Sequence, residues 1–590
     1  MSALAPLVVA APLVTAALIA AVGRFVSGRV ADVLALAATL GCAGLLVAVL
    51  ARLDGRVEAV WLGGWHPRDG VAIGVSFTLD PLGVGLALFI ALLMALALVY
   101  GSGSLDPEPP HVHVLALVFL AGMVGFCLSG DLFNLFVFFE LMSVSAFALT
   151  GIHVDEGAAL EGSLNFAVTN TLGSFLAVIG IALVYARTGA LNIAQAGHVL
   201  SANPAHPIDG LVVVALAFLV CGFLVKAAVV PFHFWLADAY AVAPAAICIV
   251  LAGAMSELGV LGVVRVVFGV FGGPVAEHAE AVRAVLVVAG LVTALLGAVM
   301  AFAQDHLKRM LAFVTIGHVG LFLAGVAMLT AAGVGATAVY VVADGCAKAA
   351  LFACVGVLQR RLGHVRMSAL RGRGRGLRFT GTAFVIAALT TMGMPLTGPF
   401  LGKALVDDAL SHGVGSWAVA IAIASTALIG AVLLRAAGVV FLGWGAAEPD
   451  REFEPLTETL ASTPGRRWVP IGILVVAAIG VGLVPGARRA AHVAGTQATA
   501  HTTMARVVLG DAHAPAVHGA LPAPPAHDWL LALLTVAVAV GLAAVMLRHR
   551  GGARPLAALR ALHSGRLGDY VALLCAGAAL FGGAFALALQ

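Results

Sequence analysis

Charged residues are scarce in this chain of 590 residues. Aspartate, glutamate, lysine and arginine together account for 10% of it, whereas hydrophobic residues account for 62% and the mean hydropathy is +1.07. Such a composition excludes an ordinary soluble globular domain, in which about a quarter of the residues are charged. The small net charge of +3 gives no indication of a nucleic-acid partner. The sequence therefore predicts a polytopic membrane protein.

Cysteine is also rare and forms no recognisable motif. The seven cysteines lie in apolar segments and include no Cys-x-x-Cys pair, so the sequence indicates neither a disulfide framework nor a zinc or iron–sulfur site. We expect them to be small packing residues, and we expect no metal or other cofactor in this chain. They are Cys42, Cys127, Cys221, Cys248, Cys346, Cys354 and Cys575.

Apolar runs long enough to cross a bilayer recur from one end of the chain to the other. A spanning helix needs roughly twenty such residues. The first run has no basic residue before Arg24, so it lacks the charged start of a cleavable signal and is predicted to be a retained span. Sixteen spans are predicted, near residues 4–23, 30–51, 81–101, 111–129, 131–152, 163–186, 209–235, 243–268, 279–303, 308–329, 333–358, 379–413, 416–444, 468–486, 529–547 and 568–588.

Two stretches between spans have a different pattern. Residues 57–80 alternate apolar and polar side chains around a Pro-Arg-Asp-Gly turn, which predicts a short surface hairpin. Residues 487–528 are rich in alanine, proline and histidine without a period, which predicts a disordered or loosely packed loop. A metal-binding histidine tract is the alternative for this second stretch.

The distribution of arginine and lysine predicts the orientation in the membrane. Residues 360–378 contain seven arginines and no acidic residue, residues 548–566 are similarly basic, and Lys308 and Arg309 flank the turn between the ninth and tenth spans. All three regions follow odd-numbered spans, and basic loops tend to remain in the cytoplasm. We therefore expect both termini outside, and a location in the bacterial cytoplasmic (inner) membrane.

Seven ionisable residues lie at membrane depth in the predicted spans. A charged side chain at the centre of a spanning helix costs roughly 3 kcal/mol, so these groups must face one another or water. A salt bridge that holds helices together would explain any one of them, but seven on neighbouring spans favour a proton or cation pathway. They are Glu140, Lys226, Glu257, His318, Asp344, Lys348 and Lys403.

Two of these lysines lie beside prolines that interrupt their spans. Lys226 is followed by Pro231, and Lys403 is preceded by Pro395 and Pro399. Proline removes a backbone donor and breaks a helix locally. Broken helices at corresponding places in two halves point to an ion site in transporters built from inverted repeats. A kink that serves only helix packing is the alternative.

Five stretches of the sequence resemble one known family. They are "DLFNLFVFFELMS", "LVKAAVVPFHFWLADAYAVAP", "DHLKRMLAFVTIGHVG", "AKAALFACVGVL" and "GMPLTGPFLGKALV". They are similar to the antiporter-like membrane subunits shared by Mrp-type sodium/proton antiporters, respiratory complex I and energy-converting hydrogenases. The runs "DLFNLFVFFE" and "ARTGALNIAQ" look most like the D subunit of the Mrp type. The resemblance covers residues 70–445.

The resemblance implies a fold and a division of the chain. It implies an all-α polytopic fold in which core transmembrane helices form two inverted five-helix repeats with broken helices. That core has fourteen helices in the family, and this chain adds two C-terminal spans. The predicted parts are residues 1–110, N-terminal spans with an external hairpin; 111–270, the first antiporter-like repeat; 271–445, the second; 446–486, a linker and the fourteenth span; and 487–590, an external loop and two C-terminal spans.

The same resemblance implies a function. This chain would be the proton-translocating subunit of a multisubunit cation/proton antiporter, with other membrane subunits, the lipid bilayer and protons as partners, and with sodium left open. Glu140, Lys226 and Lys403 match ionisable residues of the family's fifth span and of its two broken helices. One alternative is a proton-pumping membrane-arm subunit of a redox complex, of the NADH:quinone oxidoreductase or membrane hydrogenase/formate hydrogenlyase type, whose redox chemistry would lie in a partner. Another is a non-transporting scaffold paralogue.

Two positions depart from the family pattern. Glu257 stands where the family usually has a lysine, and Asp344 where it often has a histidine. Asp344 and Lys348 are four residues apart and share a helix face, so they can neutralise each other. Glu257 should attract Lys226, and we therefore expect Lys226 to be bracketed by Glu140 and Glu257 and to exchange its pairing between them.

Overall fold

Helices form most of the chain. The computed structural model describes residues 4–25, 27–102, 111–202, 209–445, 462–510, 514–548 and 565–589. A two-stranded sheet near the N-terminus accompanies the helices. The all-α polytopic architecture predicted from the sequence is confirmed.

The helices are numbered here in chain order. They are α1 (Leu4–Val22), α2 (Gly28–Leu53), α3 (Pro81–Gly101), α4 (His111–Leu128), α5 (Leu132–Thr150), α6 (Gly157–Thr188), α7 (Ile193–Ser201), α8 (Gly210–Lys226), α9 (Phe234–Val242), α10 (Ala245–Val270), α11 (Gly272–Glu277), α12 (Ala279–Phe302), α13 (Leu307–Val326), α14 (Ala331–Leu362), α15 (Arg378–Thr391), α16 (Gly398–Gly413), α17 (Ser416–Leu442), α18 (Gly465–Leu483), α19 (Gly486–Thr499), α20 (His501–Leu509), α21 (Ala526–Arg548) and α22 (Leu567–Ala588).

Within the described residues, fourteen helices are long and apolar enough to cross a membrane. They correspond to fourteen of the sixteen predicted spans. The other two predicted spans are interrupted. Span 379–413 is divided into α15 and α16, whereas span 209–235 contains α8 and, after a gap, only the first two residues of α9. The inverted relation of two five-helix repeats and the division into parts stay predictions. Residues 446–461 of the predicted linker and residues 549–564 of the basic segment lie outside the described residues.

Three helices form the centre of the bundle. The most apolar 18-residue stretch of α10 is 100% buried, and those of α13 and α14 are each 94% buried. The corresponding stretches of α1, α2, α21 and α22 are buried to no more than a third. The seven ionisable residues predicted at membrane depth are thus distributed on and around helices that the rest of the chain encloses.

The predicted hairpin is present, but its second strand is buried, so the prediction that it lies on the surface holds only for the exposed turn between the strands. Strand β1 (Glu58–Trp61) pairs antiparallel with β2 (Ser76–Leu79), and Glu58 lies opposite Leu79. The side chain of Asp80 then accepts hydrogen bonds from the first backbone N–H groups of α3, which is the usual role of aspartate before a helix. The alternation of polar and apolar residues therefore indicated the strands correctly, but not that both faces of the second strand are buried.

The prediction of a disordered or loosely packed loop at 487–528 is wrong for its first half. Residues 486–509 form α19 and α20, and α19 lies directly on α14. A Cβ atom on Gly495 would lie 2.0 Å from the carbonyl oxygen of Ala331, so only glycine permits this approach. The amide of Gln497 donates to the carbonyl of Gly55 at 2.7 Å. Both helices are amphipathic but much less apolar than a spanning helix, so a search for long apolar runs did not detect them.

The two C-terminal spans pack beside the two divided helices. In α22, the hydroxyl of Tyr570 donates to Asp238 of α9 at 2.7 Å, and the ring of Phe581 lies 5.8 Å from that of Phe232. In α21, the ring of Trp529 lies 4.7 Å from Phe400 of α16. Each extra helix therefore covers one interruption of the core.

Six cysteines are buried as predicted, but Cys575 is exposed. It lies on α22, an outer helix with one face turned away from the bundle. An apolar segment is enough to place a cysteine in a span, but it does not decide which side of that span faces the protein.

α10 and α14 cross in direct backbone contact. A Cβ atom on Gly345 would lie 2.3 Å from the carbonyl oxygen of Gly253, and small residues of this kind let membrane helices approach closely. Glu257 lies about one turn beyond Gly253 on α10, and Lys348 about one turn beyond Gly345 on α14. The crossing therefore brings these two charged side chains within reach of each other.

Replacing Gly345 with alanine should weaken this crossing. The added methyl group would overlap the Gly253 carbonyl, and overpacking of a close-packed interior costs about 1–3 kcal/mol. We expect a lower thermal unfolding midpoint for the full-length protein in detergent. Gly85→Ala on α3 is the matched control, because a Cβ atom there meets nothing within 4 Å. Equal midpoints for the two variants would contradict the close crossing.

Candidate functional site

The first interruption lies directly after Lys226. α8 ends at this lysine and α9 begins at Phe234, with Pro231 in the gap. Ala228 has a φ of 56°, in the left-handed region that residues with a side chain rarely adopt. The C-terminal carbonyl groups of a helix carry partial negative charge, which favours an ammonium group at this position.

Specific partners replace the helical hydrogen bonds that are lost in this gap. The N–H of Val230 donates to Thr293 Oγ1 at 3.1 Å, and the indole N–H of Trp235 donates to the Val225 carbonyl at 3.0 Å. Backbone polar groups at membrane depth must be satisfied within the protein or by water. The interruption is therefore stabilised by specific hydrogen bonds of the folded protein.

The second interruption has a similar construction. α15 ends at Thr391 and α16 begins at Gly398. Pro395 lies in the gap, and the following Leu396 has a φ of 69°. Pro399 is the second residue of α16, where proline fits because its missing N–H would have no partner within the helix. Pro395 thus marks the gap, whereas Pro399 belongs to the start of the new helix.

Lys226 is completely buried beside α5. Its Nζ donates to Ser143 Oγ at 2.7 Å and lies 5.1 Å from the centre of the Phe139 ring. Glu140 is half-buried, acts electrostatically on Lys226, and has one oxygen without a hydrogen-bond partner. The structure therefore brings Glu140 and Lys226 into one polar region, with Ser143 as the direct partner of the ammonium group.

A second group of charges occupies the centre of the bundle. Lys348 Nζ lies 2.6 Å from Glu257 Oε1 and 3.0 Å from Asp344 Oδ2. On the other side of the aspartate, His318 Nδ1 lies 3.4 Å from Asp344 Oδ1. All four side chains are buried. We call Glu257, Lys348, Asp344 and His318 the central cluster.

The expectation that Lys226 is bracketed by two carboxylates is wrong. Glu257 pairs with Lys348, and it also accepts a hydrogen bond from Ser256 at 3.0 Å, whereas Lys226 donates to Ser143. The close crossing of α10 and α14 directs Glu257 toward α14. The signs of the charges predicted that Glu257 attracts a lysine, and Lys226 was the expected partner. The packing of α10 against α14 makes Lys348 the partner instead.

Lys403 forms an ion pair with Asp407, one turn further along α16. Both side chains are buried, and the charge of Lys403 also acts electrostatically on His318 in the central cluster. Asp407 was not among the predicted site residues. Its spacing of four residues from Lys403 is the same as that between Asp344 and Lys348, so the sequence did contain a signal for it.

A further buried ion pair was also missed. Arg265 of α10 pairs with Asp80 at the start of α3, and it donates to the carbonyl of Cys127 at 3.1 Å. Arg265 lies inside the predicted span 243–268, so its position in the sequence was enough to identify it as a buried charge in need of a partner. Because Asp80 also caps α3, this pair ties the hairpin and the N-terminal helices to the central helix.

The site residues form three groups of acids and bases inside the bundle. Carboxylate, ammonium and imidazole groups in contact can pass protons, because protonation of one changes the proton affinity of its neighbours. Within the described residues, no three His, Cys, Asp or Glu side chains are placed to hold a metal ion. The groups are Glu140 with Lys226 and Ser143, the central cluster, and Lys403 with Asp407.

Known proteins are similar to the part of the chain that contains these three groups. A family model described as NADH:quinone oxidoreductase/Mrp antiporter, TM, matches residues 129–430. NADH-quinone oxidoreductase subunit N of Desulforudis audaxviator is 30% identical over 465 residues, which cover 76% of this chain and 89% of that protein. A Staphylococcus haemolyticus protein carrying the name antiporter subunit mnhD2 is 28% identical over 425 residues, with 71% and 81% covered. A chain in the structure of the Mrp complex from Dietzia sp. DQ12-45-1b has a TM-score of 0.75 and 26% identity, with 86% and 100% covered.

Replacing Lys348 with methionine should destabilise the protein strongly. The change leaves Glu257 and Asp344 buried without the cation between them, and breaking a buried ion pair costs about 3–5 kcal/mol. We expect a large fall in the thermal unfolding midpoint in detergent, and partial recovery in Lys348→Met/Glu257→Gln, which removes one of the uncompensated charges. A midpoint equal to that of the parent protein would show that Lys348 does not hold the cluster together.

Proposed function

We propose, from the premise that this chain belongs to the NADH:quinone oxidoreductase/Mrp antiporter family of membrane subunits, that it translocates protons across the membrane. The observation that carries the proposal is the central cluster, a contiguous set of acid, base and imidazole groups buried in the middle of the bundle. A further buried lysine lies next to each interruption of the core, Lys226 at the end of α8 and Lys403 in α16, and the charge of Lys403 acts on His318 of the cluster.

The sum of the charges in the central cluster indicates that it can take up one proton. With Lys348 protonated, both carboxylates ionised and His318 neutral, the cluster carries one excess negative charge. A proton taken up by His318 neutralises it, and a positive charge on Lys403 disfavours that proton by like-charge repulsion. Changes of charge at the second interruption would therefore drive release of the proton from the cluster.

The first interruption supplies a second acid and base pair. Glu140 is favoured as an anion while Lys226 is protonated, and becomes easier to protonate when that lysine is neutral. The gap at Pro231 interrupts the regular helical hydrogen bonds directly after Lys226, and the buried ammonium group has the hydroxyl of Ser143 as its direct partner. A change of charge at Glu140 and Lys226 would then act on the central cluster across the contact between α8 and α10.

We also propose that this chain works within a larger assembly of membrane subunits. Its relatives include subunits of NADH-quinone oxidoreductases and of antiporters, and the similar solved chain is part of the Mrp complex. Proton movement could be coupled there to a cation such as sodium. The same partner subunits would supply any redox chemistry, because the proposed pathway uses only acid and base groups.

The proposed orientation places both termini outside the cytoplasmic membrane of a bacterium. The arginine-rich segment 360–378 supports it, because positive charges in short loops resist translocation. On this orientation the hairpin between α2 and α3 is external.

Neutralising either member of the first pair should stop proton movement. We expect Glu140→Gln and Lys226→Ala to lower proton translocation in membrane vesicles at least tenfold, while the abundance of the assembled complex stays near normal. Glu161→Gln is the matched control, since Glu161 is exposed on α6. Near-normal transport in Glu140→Gln or Lys226→Ala would remove that residue from the pathway. Transport that is absent from the parent complex would favour the scaffold alternative.

The orientation can be tested by cysteine labelling in the Cys575→Ala background. Gly376 is exposed, and a Cβ atom there meets nothing within 4 Å, so Gly376→Cys is a suitable reporter for the arginine-rich segment. An impermeant maleimide added to intact cells should miss Gly376→Cys and label Ile73→Cys, whose parent side chain is 83% exposed in the hairpin. The reverse labelling pattern would overturn the orientation.

A further inference from the structure

A small cavity lies beside the second interruption, between the core and the first of the extra C-terminal spans. Lys403 and Asp407 of α16 line one side, and Asp528 and Thr535 of α21 line another. The cavity has about 10 Å³ of space for a water-sized molecule. This volume is close to that needed for a single water, and the lining supplies the polar partners that a buried water requires.

α21 is positioned so that Asp528 faces inward. The buried residues of this helix form one stripe, and Asp528 is the first of them although it is only the third residue of the helix. Trp529, beside it, lies with its ring 4.7 Å from Phe400 at the start of α16. Further along the stripe, Ala539 is completely buried against α17. These contacts hold the aspartate against the interruption.

The cavity contains acid oxygens that have no partner. Asp528 is 6% exposed and Asp407 is 7% exposed, and Oδ2 of Asp528 and Oδ1 of Asp407 each make no hydrogen bond. Burying an unsatisfied polar atom is costly. A helix that only covered the interruption would be more stable with an apolar residue here, so the position of Asp528 calls for a role in which its oxygen meets water or a proton.

The other oxygen of Asp528 connects it with the surface. His527 Nε2 lies 3.1 Å from Asp528 Oδ1, and the His527 side chain is 67% exposed. Histidine changes its charge near neutral pH. The charged groups that act on Asp528 are His527 on its own helix and Lys403, Asp407 and Asp408 on α16.

We propose that His527 and Asp528 form the surface end of a proton pathway that continues inward through Asp407 and Lys403. The inference rests on the proposed function, because it names the place where that pathway meets water. α21 lies outside residues 129–430, the part of the chain that the family model matches. The assignment therefore comes from the contacts of this chain.

The proton transfer is balanced at each step. A proton on His527 Nε2 passes to Asp528, which leaves a neutral imidazole and a protonated carboxyl group. Asp528 then donates to a water in the cavity as that water donates to Asp407 Oδ1, so Asp528 returns to the carboxylate and Asp407 becomes protonated. Loss of the negative charge on Asp407 weakens its ion pair with Lys403, so Lys403 releases its own proton inward and becomes a neutral amine. Asp407 then passes its proton to Lys403, which restores the carboxylate, the ammonium group and their ion pair. The steps run in reverse for a proton that leaves.

Two readouts test this assignment in the full-length chain within its native membrane complex. The first is proton translocation in vesicles, and the second is the band of protonated carboxyl groups in pH-difference infrared spectra. We expect Asp528→Asn to lower translocation at least tenfold and to remove one pH-dependent carboxyl band. Asp528→Glu should restore most of both signals. Asp569→Asn is the matched control, because Asp569 is exposed on the other C-terminal helix, α22.

The outcomes separate this inference from the proposed function. Parental translocation and an unchanged carboxyl band in Asp528→Asn would overturn the surface-end assignment and leave the proposed function intact. Loss of translocation that Asp528→Glu does not restore, with the band unchanged, would also overturn it, since that result indicates a purely structural role. A parent complex that translocates no protons would overturn the proposed function itself.

Discussion

The structure depends on a single physical constraint, which is that a charge inside a bilayer must be met by an opposite charge or by water. Lys348 shows it most clearly, because its ammonium group lies between the carboxylates of Glu257 and Asp344. The glycine contact between α10 and α14 brings the two helices together at this level and so holds the three side chains within reach of one another. The other helices surround this charged centre and separate it from the lipid.

The sequence predicted correctly those features that depend on a short stretch of residues. Spans appear as apolar runs, the interruptions appear as prolines near Lys226 and Lys403, and buried ionisable residues stand out because lipid would penalise them. Pairs within one helix, such as Asp344 with Lys348, follow from a spacing of four residues. The sequence therefore indicated most members of the candidate site.

It failed where the outcome depended on which helices touch. Glu257 was assigned to Lys226, and only the crossing of α10 with α14 shows that Lys348 is its partner. Helix α19 is amphipathic but too polar to be detected as an apolar run, and its close contact with α14 at Gly495 depends on the packing of the two helices. Asp528 stands at the edge of a segment with no recognisable motif, so its inward direction is a property of the packing of α21 alone.

The complete burial of the α10 span has a consequence for how the protein responds to its surroundings. The side chains of this helix touch other parts of the same chain, so the medium that solvates Glu257 is protein. Changes in acyl-chain length, headgroup charge or bilayer thickness act first on α1, α2, α21 and α22, which have large outward-facing surfaces. The surrounding helices therefore separate the charged centre from the lipid. The polarity around Glu257 is set by the amino-acid sequence and should change little when the lipid composition changes.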